Sequence, residues 1–241
     1  LDDRKAIAEL LEWKGYPQHN PLGWTCLGIS LLTFKPSDLL QFKPDIPIQF
    51  PDKEKPAKYL TSHKGYDALA LPVRDWQAVI EDPTIDVTVT EGPKKTGALE
   101  TCGYAALGLP GVDMGLRNGR LVPNLEAIAV KGRRINFCFD ADIQTKPEVQ
   151  DALIRNATAV KKKGGIPYVV PAWDLSLGKG IDDVLANHGP EKVHEIMATA
   201  IPYKDWLKGL ERQFKPEKAK PQRIPPADLI ARDIAEEYRS T

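Results

Sequence analysis

The 241-residue chain has little cysteine, no surplus of either charge and no long apolar run. Its three cysteines, Cys26, Cys102 and Cys138, are far apart and odd in number. That excludes a disulfide framework and a cysteine-ligated zinc centre, and leaves buried thiols in a reducing compartment. Lys+Arg and Asp+Glu both number 33, so the net charge is zero. No whole-protein basic field exists to grip a polyanion, which must be held at a local basic face or through metal ions. No apolar stretch approaches the roughly 18–20 residues of a membrane span, and no charged-apolar-small signal sequence opens the chain. No membrane partner is expected, and the cytoplasm is the default compartment. His19, His63, His188 and His194 show no metal-ligand spacing. No Gly-x-x-x-x-Gly-Lys-Ser/Thr loop occurs, so a P-loop motor lies outside these residues. A first residue Leu1 in place of methionine reads as a piece of something longer.

Hydrophobic residues make up 42% and charged residues 27%, enough apolar surface for a soluble globular core. Residues 1–83 read as a mixed α+β subdomain. Turn signals such as Gly15-Tyr16-Pro17, Asn20-Pro21-Leu22-Gly23 and Lys43-Pro44-Asp45 interrupt it, Ala6 to Trp13 has a short amphipathic helical pattern, and Leu69 to Val73 reads as a strand edge. Residues 84–210 alternate strands with helices. Strands are predicted at Ile85–Thr90, Ala105–Leu109, Ile135–Phe139 and Ile166–Val170. Helices are predicted at Lys94–Cys102, from an Asn124 cap through Val130, at Pro147–Lys163 before Gly164-Gly165, and within Pro190–Leu210. This alternation implies an α/β fold, a largely parallel sheet flanked by helices. Residues 211–226 form a basic, proline-rich linker and 227–241 a helix that would begin a further region.

In an open parallel sheet ligands bind beyond the carboxyl ends of the strands. Glu91 follows the first strand of this region, Asp140 and Asp142 the third, and Asp182-Asp183 the fourth. In an extended chain Asp140 and Asp142 point the same way. Carboxylates about 5 Å apart repel by roughly 3 kcal/mol per pair at an effective dielectric of about 20. They stay ionised together only with a cation between them, and hard oxygen ligands favour Mg²⁺ or Mn²⁺. The chemistry this implies is phosphoryl or nucleotidyl transfer, or phosphodiester cleavage. Lys94 and Lys95 open a helix where backbone N–H groups already favour phosphate, and Lys179 sits in a Gly-Lys-Gly turn. Arg117, Arg120, Arg133 and Arg134 are candidates for a local basic face that binds nucleic acid. Tyr59, beside Lys58, is a candidate template contact, whereas the five tryptophans read as core or interface residues.

The strand-Glu91-Gly92 step, Phe139-Asp140-Ala141-Asp142 and Lys179-Gly180-Ile181-Asp182-Asp183 resemble the motifs of the TOPRIM domain of topoisomerases and primases. Thr90-Glu91-Gly92-Pro93-Lys94-Lys95, Gly108-Leu109-Pro110-Gly111-Val112 and the Lys-Gly-Ile-Asp-Asp step are closer to the TOPRIM-like domain of plasmid and phage primase-helicases. The resemblance covers roughly residues 85–190. It implies a metal-dependent DNA primase acting on single-stranded template with nucleoside triphosphates, beside a helicase domain or subunit. By this resemblance Glu91 is a general acid/base or metal-organising group, Asp140 and Asp142 are ligands for Mg²⁺ or Mn²⁺, and Asp182 and Asp183 match a further acidic pair. The chain departs from the bacterial-primase pattern at Lys95, where Glu-Gly-x-x-Asp would place an aspartate. The same acids would serve a TOPRIM nuclease, and Lys95 favours a non-catalytic nucleic-acid-binding or loading module. A haloacid-dehalogenase-like phosphatase needs Thr or Val where Gln144 stands, and its nucleophile strand usually comes first.

Overall fold

The computed structural model describes residues 11, 22–50, 52–62 and 65–214, with side chains to residue 210. The helical pattern at Ala6–Trp13, all but the start of the linker, and the helix at 227–241 lie outside the described residues or rest mostly on such residues. Residues up to Trp206 form one compact unit, and a second begins at Leu207. Among the described residues no helix is long and apolar enough to cross a membrane.

A nine-stranded sheet organises the first unit, in the order β11-β10-β9-β5-β6-β4-β1-β2-β3. Its centre is parallel: β5 (Val87–Glu91) lies between β6 (Ala105–Leu109) and β9 (Arg134–Phe137), and β10 (Ile166–Val169) follows β9. Every residue of β6 is buried, and so is β5 up to Glu91, as expected for strands covered on both faces. The amino-terminal strands extend the same sheet in antiparallel fashion through β4 (Leu69–Ala70), β1 (Gly23–Ile29), β2 (Pro36–Pro44) and β3 (Leu60–Thr61). β11 (Ile201–Pro202) closes the other edge. The fold is therefore the α/β class read from the sequence, with its parallel character concentrated in four central strands.

The helices follow local signals. α1 (Trp76–Glu81) is capped by Asp75, whose side chain accepts from Ala78 N at 3.1 Å. α2 (Gly92–Thr101) follows β5 without a loop, because Gly92 takes φ +77° and Pro93 supplies a first-turn residue that needs no N–H partner. α3 (Pro123–Ile128) is short. α4 (Pro147–Lys163) starts at its proline and stops at Gly164, which adopts φ +101°. α5 (Ile181–Ala198) breaks its regular backbone at Gly189, just before Pro190, and α6 (Tyr203–Phe214) completes the set. Leu99 of α2 meets Ile181, Val184, Val193, Ile196 and Met197 of α5 in one apolar cluster with Ala106, Cys138 and Val170. Gly108 is required where α2 crosses β6: a Cβ there would lie 2.2 Å from Thr96 Oγ1 and 3.1 Å from the Gly92 carbonyl.

Two expectations need correction. Asn124 does not cap α3, whose N-cap is Val122; the Asn124 side chain is fully buried. It donates to the carbonyls of Ile29 and Ala68, each at 2.8 Å, and accepts from Leu31 N at 2.7 Å. Arg133 is no surface cation. It is 0% exposed and donates to the carbonyls of Ile85 and Ile80 at 3.0 and 3.2 Å, tying the segment before β5 to the start of β9.

Candidate functional site

The parallel register brings the ends of β5 and β9 side by side, since Val87, Thr88 and Val89 pair with Ile135, Asn136 and Phe137. Glu91 ends β5, and Asp140 lies three residues beyond the end of β9. The chain does not stay extended after Asp140: residues 141–145 form a 3-10 turn that carries Asp142. Ala141 N donates to the Lys179 carbonyl at 2.9 Å, so the Gly-Lys-Gly turn is fixed against the Asp-Ala-Asp segment.

Lysines stand among the acids. Lys95 Nζ is 2.8 Å from Asp140 Oδ1. Lys179 Nζ spans both aspartates, 3.4 Å from Asp140 Oδ2 and 3.1 Å from Asp142 Oδ2. Lys146 Nζ is 2.7 Å from Asp142 Oδ2. The titration shifts follow this geometry. Burial pushes the Glu91 and Asp182 carboxyls up, against the pull of Lys95. Burial opposes the Asp142 carboxylate, but its bonds to Lys146 and Lys179 hold it below the ordinary range. Burial likewise opposes the Lys95 ammonium, yet Asp140, Glu91 and Asp182 raise it overall.

The predicted residues divide. Glu91, Lys94, Lys95 and Asp182 line one cavity of about 90 Å³, and Asp140 adjoins it through its contact with Lys95. Asp142 and Lys179 form the more exposed flank. Asp183 faces elsewhere: its Oδ2 accepts from Gly180 N at 3.0 Å, reaching back from the first turn of α5 to the residue before it. The arginines do not form a common face. Arg117 and Arg120 sit on the hairpin of β7 (Leu116–Arg117) and β8 (Arg120–Leu121), with Arg117 over the Tyr66 ring. Arg134 stacks on Tyr168 and pairs with Asp86, and Arg133 is buried.

Gln41 is a site residue that sequence reasoning missed. It comes from β2, is 1% exposed, lines the same cavity as Tyr59, and its Oε1 has no hydrogen-bond partner among the described residues. Thr90 Oγ1 is buried and equally without a hydrogen bond among the described residues. A glutamine among the consecutively buried residues of β2 gives no local signal; only the pairing of β2 into the shared sheet brings it here.

The arrangement does not fit the expected Mg²⁺ or Mn²⁺. Among the described residues no three His, Cys, Asp or Glu side chains stand together in a group able to hold a metal ion. The positive charge beside Glu91, Asp140 and Asp182 is an ammonium group. What the site can do as built is receive phosphate oxygens on lysines at the amino end of a helix.

A family model described as a domain of unknown function, DUF3854, matches residues 75–192. An uncharacterized protein of Picosynechococcus sp. (strain ATCC 27264 / PCC 7002 / PR-6) is 32% identical over 219 residues, covering 76% of this chain. The chain spans 22% of that relative's length. Among solved structures, the zinc-binding and RNA polymerase domains of Aquifex aeolicus primase superpose with a TM-score of 0.55 at 14% identity, over 88% of this chain and 53% of that one. The RNA polymerase domain of Mycobacterium tuberculosis primase DnaG gives a TM-score of 0.49 at 14% identity, over 90% of this chain and 71% of that one. The Aquifex likeness is one of fold.

Proposed function

We propose that this chain is a primase-type domain of a DNA replication protein, which holds nucleoside triphosphates and single-stranded DNA by their phosphates at the carboxyl end of its parallel strands. The observation that carries this reading is the placement of Lys94 and Lys95 in the first turn of α2, directly after Glu91, with Lys179 across the same edge. Backbone N–H groups at the amino end of α2 add donors for the same oxygens. Gln41 Oε1 offers an acceptor to a base amino or imino group, and the Tyr59 ring a stacking surface. A helicase domain or subunit is the partner such a module would serve.

Nucleotidyl transfer at the same edge is the second reading, and Glu91 favours it. Its carboxyl, raised by burial, can take a proton from an attacking hydroxyl beside the lysines. The test starts with fluorescence anisotropy of a labelled single-stranded oligonucleotide against the wild type and a Lys94→Ala/Lys179→Ala variant. Binding that weakens roughly tenfold in the variant, with a salt slope lower by about 1.4 for two lost phosphate contacts, is expected. Equal binding by both proteins sinks the reading. A labelled-nucleotide assay on single-stranded DNA then separates the chemistry. Template-directed product that disappears in Glu91→Gln establishes synthesis, whereas degraded template points to a nuclease.

A further inference from the structure

Three ammonium groups neutralise the strand-end acids, and they are not equivalent. The Lys95 side chain is 17% exposed, against 51% for Lys179 and 38% for Lys146. Lys179 and Lys146 approach from the open side, whereas Lys95 reaches inward from α2. Its charge acts on Glu91 and Asp182 as well as on Asp140. The chain also makes room for it. A Cβ at Gly180 would lie 2.7 Å from Lys95 Cε and 2.3 Å from Asp182 Oδ1, so any other residue at 180 would displace either the lysine stem or the aspartate. Gly180 has φ −99°, a conformation open to every residue, so what this position excludes is bulk. Asp140 Oδ1 completes the picture: it is out of contact with solvent, and Lys95 Nζ, at 2.8 Å, is its charged partner.

We propose that the Lys95 ammonium is the resident cation of this site, balancing Asp140 with Glu91 and Asp182 nearby, and that the edge receives phosphate groups without a metal. A dication brought to the same carboxylates meets a fixed positive charge at contact distance and must displace it. An ammonium group, in contrast, keeps N–H donors for a phosphate oxygen while it balances the aspartate. The inference deepens the reading of this edge as a phosphate site, yet metal binding is measured without nucleotide, so the two can fail separately.

The experiment is Mn²⁺ titration of the 241-residue chain, followed by electron paramagnetic resonance of the free ion, for wild type, Lys95→Arg, Lys95→Met and Lys95→Met/Asp140→Asn. Wild type and Lys95→Arg are expected to take up Mn²⁺ weakly and alike. Lys95→Met should bind it roughly tenfold or more tightly, the scale on which one adjacent charge acts. Adding Asp140→Asn should abolish the gain. Tight binding by the wild type that Asp140→Asn removes overturns the proposal, as does a folded Lys95→Met protein with no gain. If circular dichroism shows that Lys95→Met does not fold, wild type and Asp140→Asn alone decide. Equal weak binding upholds a lysine-filled site, and Asp140-dependent tight binding overturns it.

Discussion

Two buried polar clusters in this protein differ in how completely their atoms are used. Around Asn124, the side-chain oxygen and both amide hydrogens are bonded, to Leu31, Ile29 and Ala68. Asp67 Oδ1 adds bonds from the backbone N–H groups of Asn124, at 2.7 Å, and Ala68, at 2.8 Å. At the strand-end edge, Gln41 Oε1 and Thr90 Oγ1 are buried and take no hydrogen bond. Unused buried polar atoms are costly, so a satisfied cluster reads as structure, and an incomplete one reads as a place where something else is meant to bind. The first joins β1, β4 and α3, and the second stands open to a ligand.

Asn124→Ala attacks the satisfied cluster and should have the largest effect. It strands two carbonyls and one N–H and should cost about 3 kcal/mol, read as a lower Tm in thermal unfolding, with oligonucleotide affinity of the folded protein unchanged. A loss of affinity out of proportion to the unfolded fraction would break the distinction between the clusters. Gly108→Ala should cost about 2 kcal/mol by forcing the start of α2 away from β6. Because that turn carries Lys94 and Lys95, this variant alone should lose stability and DNA affinity together.

Asp67 sharpens the comparison through pH. Burial pushes its carboxyl from 3.8 to about 6, partly offset by the N–H bonds of Asn124 and Ala68. The folded state therefore favours the protonated form. The stability this gives is present below about pH 4 and is lost as pH rises through 6. Urea unfolding from pH 4 to 8 should show the wild type losing about 2 kcal/mol that Asp67→Asn does not lose. Parallel pH curves for the two proteins would contradict this assignment. The smallest effect belongs to Lys179→Ala on the open flank. Stability should stay within about 0.5 kcal/mol, while affinity for single-stranded DNA falls a few-fold and the salt slope drops by about 0.7.

The sequence reading succeeded where signals were local. Pro147 and Gly164 bracket α4 because each residue type suits the backbone at its end of the helix. The four parallel strands were legible as short apolar runs alternating with helical segments, and Glu91 and Asp140 stand at or just beyond the strand ends. Position along a strand did not predict partners. The acids were expected to share a divalent ion, and the same short stretches of sequence hold the lysines that pair with them. Asp183 looked like a ligand because an acid that reaches back to a backbone N–H in a helix's first turn and a paired carboxylate are written in the same letters. Arg133 looked like a surface cation because nothing nearby in sequence shows that two carbonyls, of Ile80 and Ile85, wait for its guanidinium. Asn124, Gln41 and Tyr59 act across long separations, which single-sequence periodicity does not reach.

The bond between Leu31 and Asn124 spans 93 residues of chain, and β4 pairs with β6 nearly forty residues later. During synthesis the β1–β2 hairpin can form as soon as it leaves the ribosome. The strand and the asparagine that complete its surroundings are not yet made. At about 5–20 residues per second Asn124 follows Leu31 by roughly 5–20 s. β4 covers the edge of β1 once it is made, and β4 in turn waits for β6 with an unpaired edge, the kind of edge that invites pairing with another chain. The strands at the amino-terminal side of this sheet are thus translated before their partners and among the last to be secured, and nascent-chain yield should depend on them more than on the charged site.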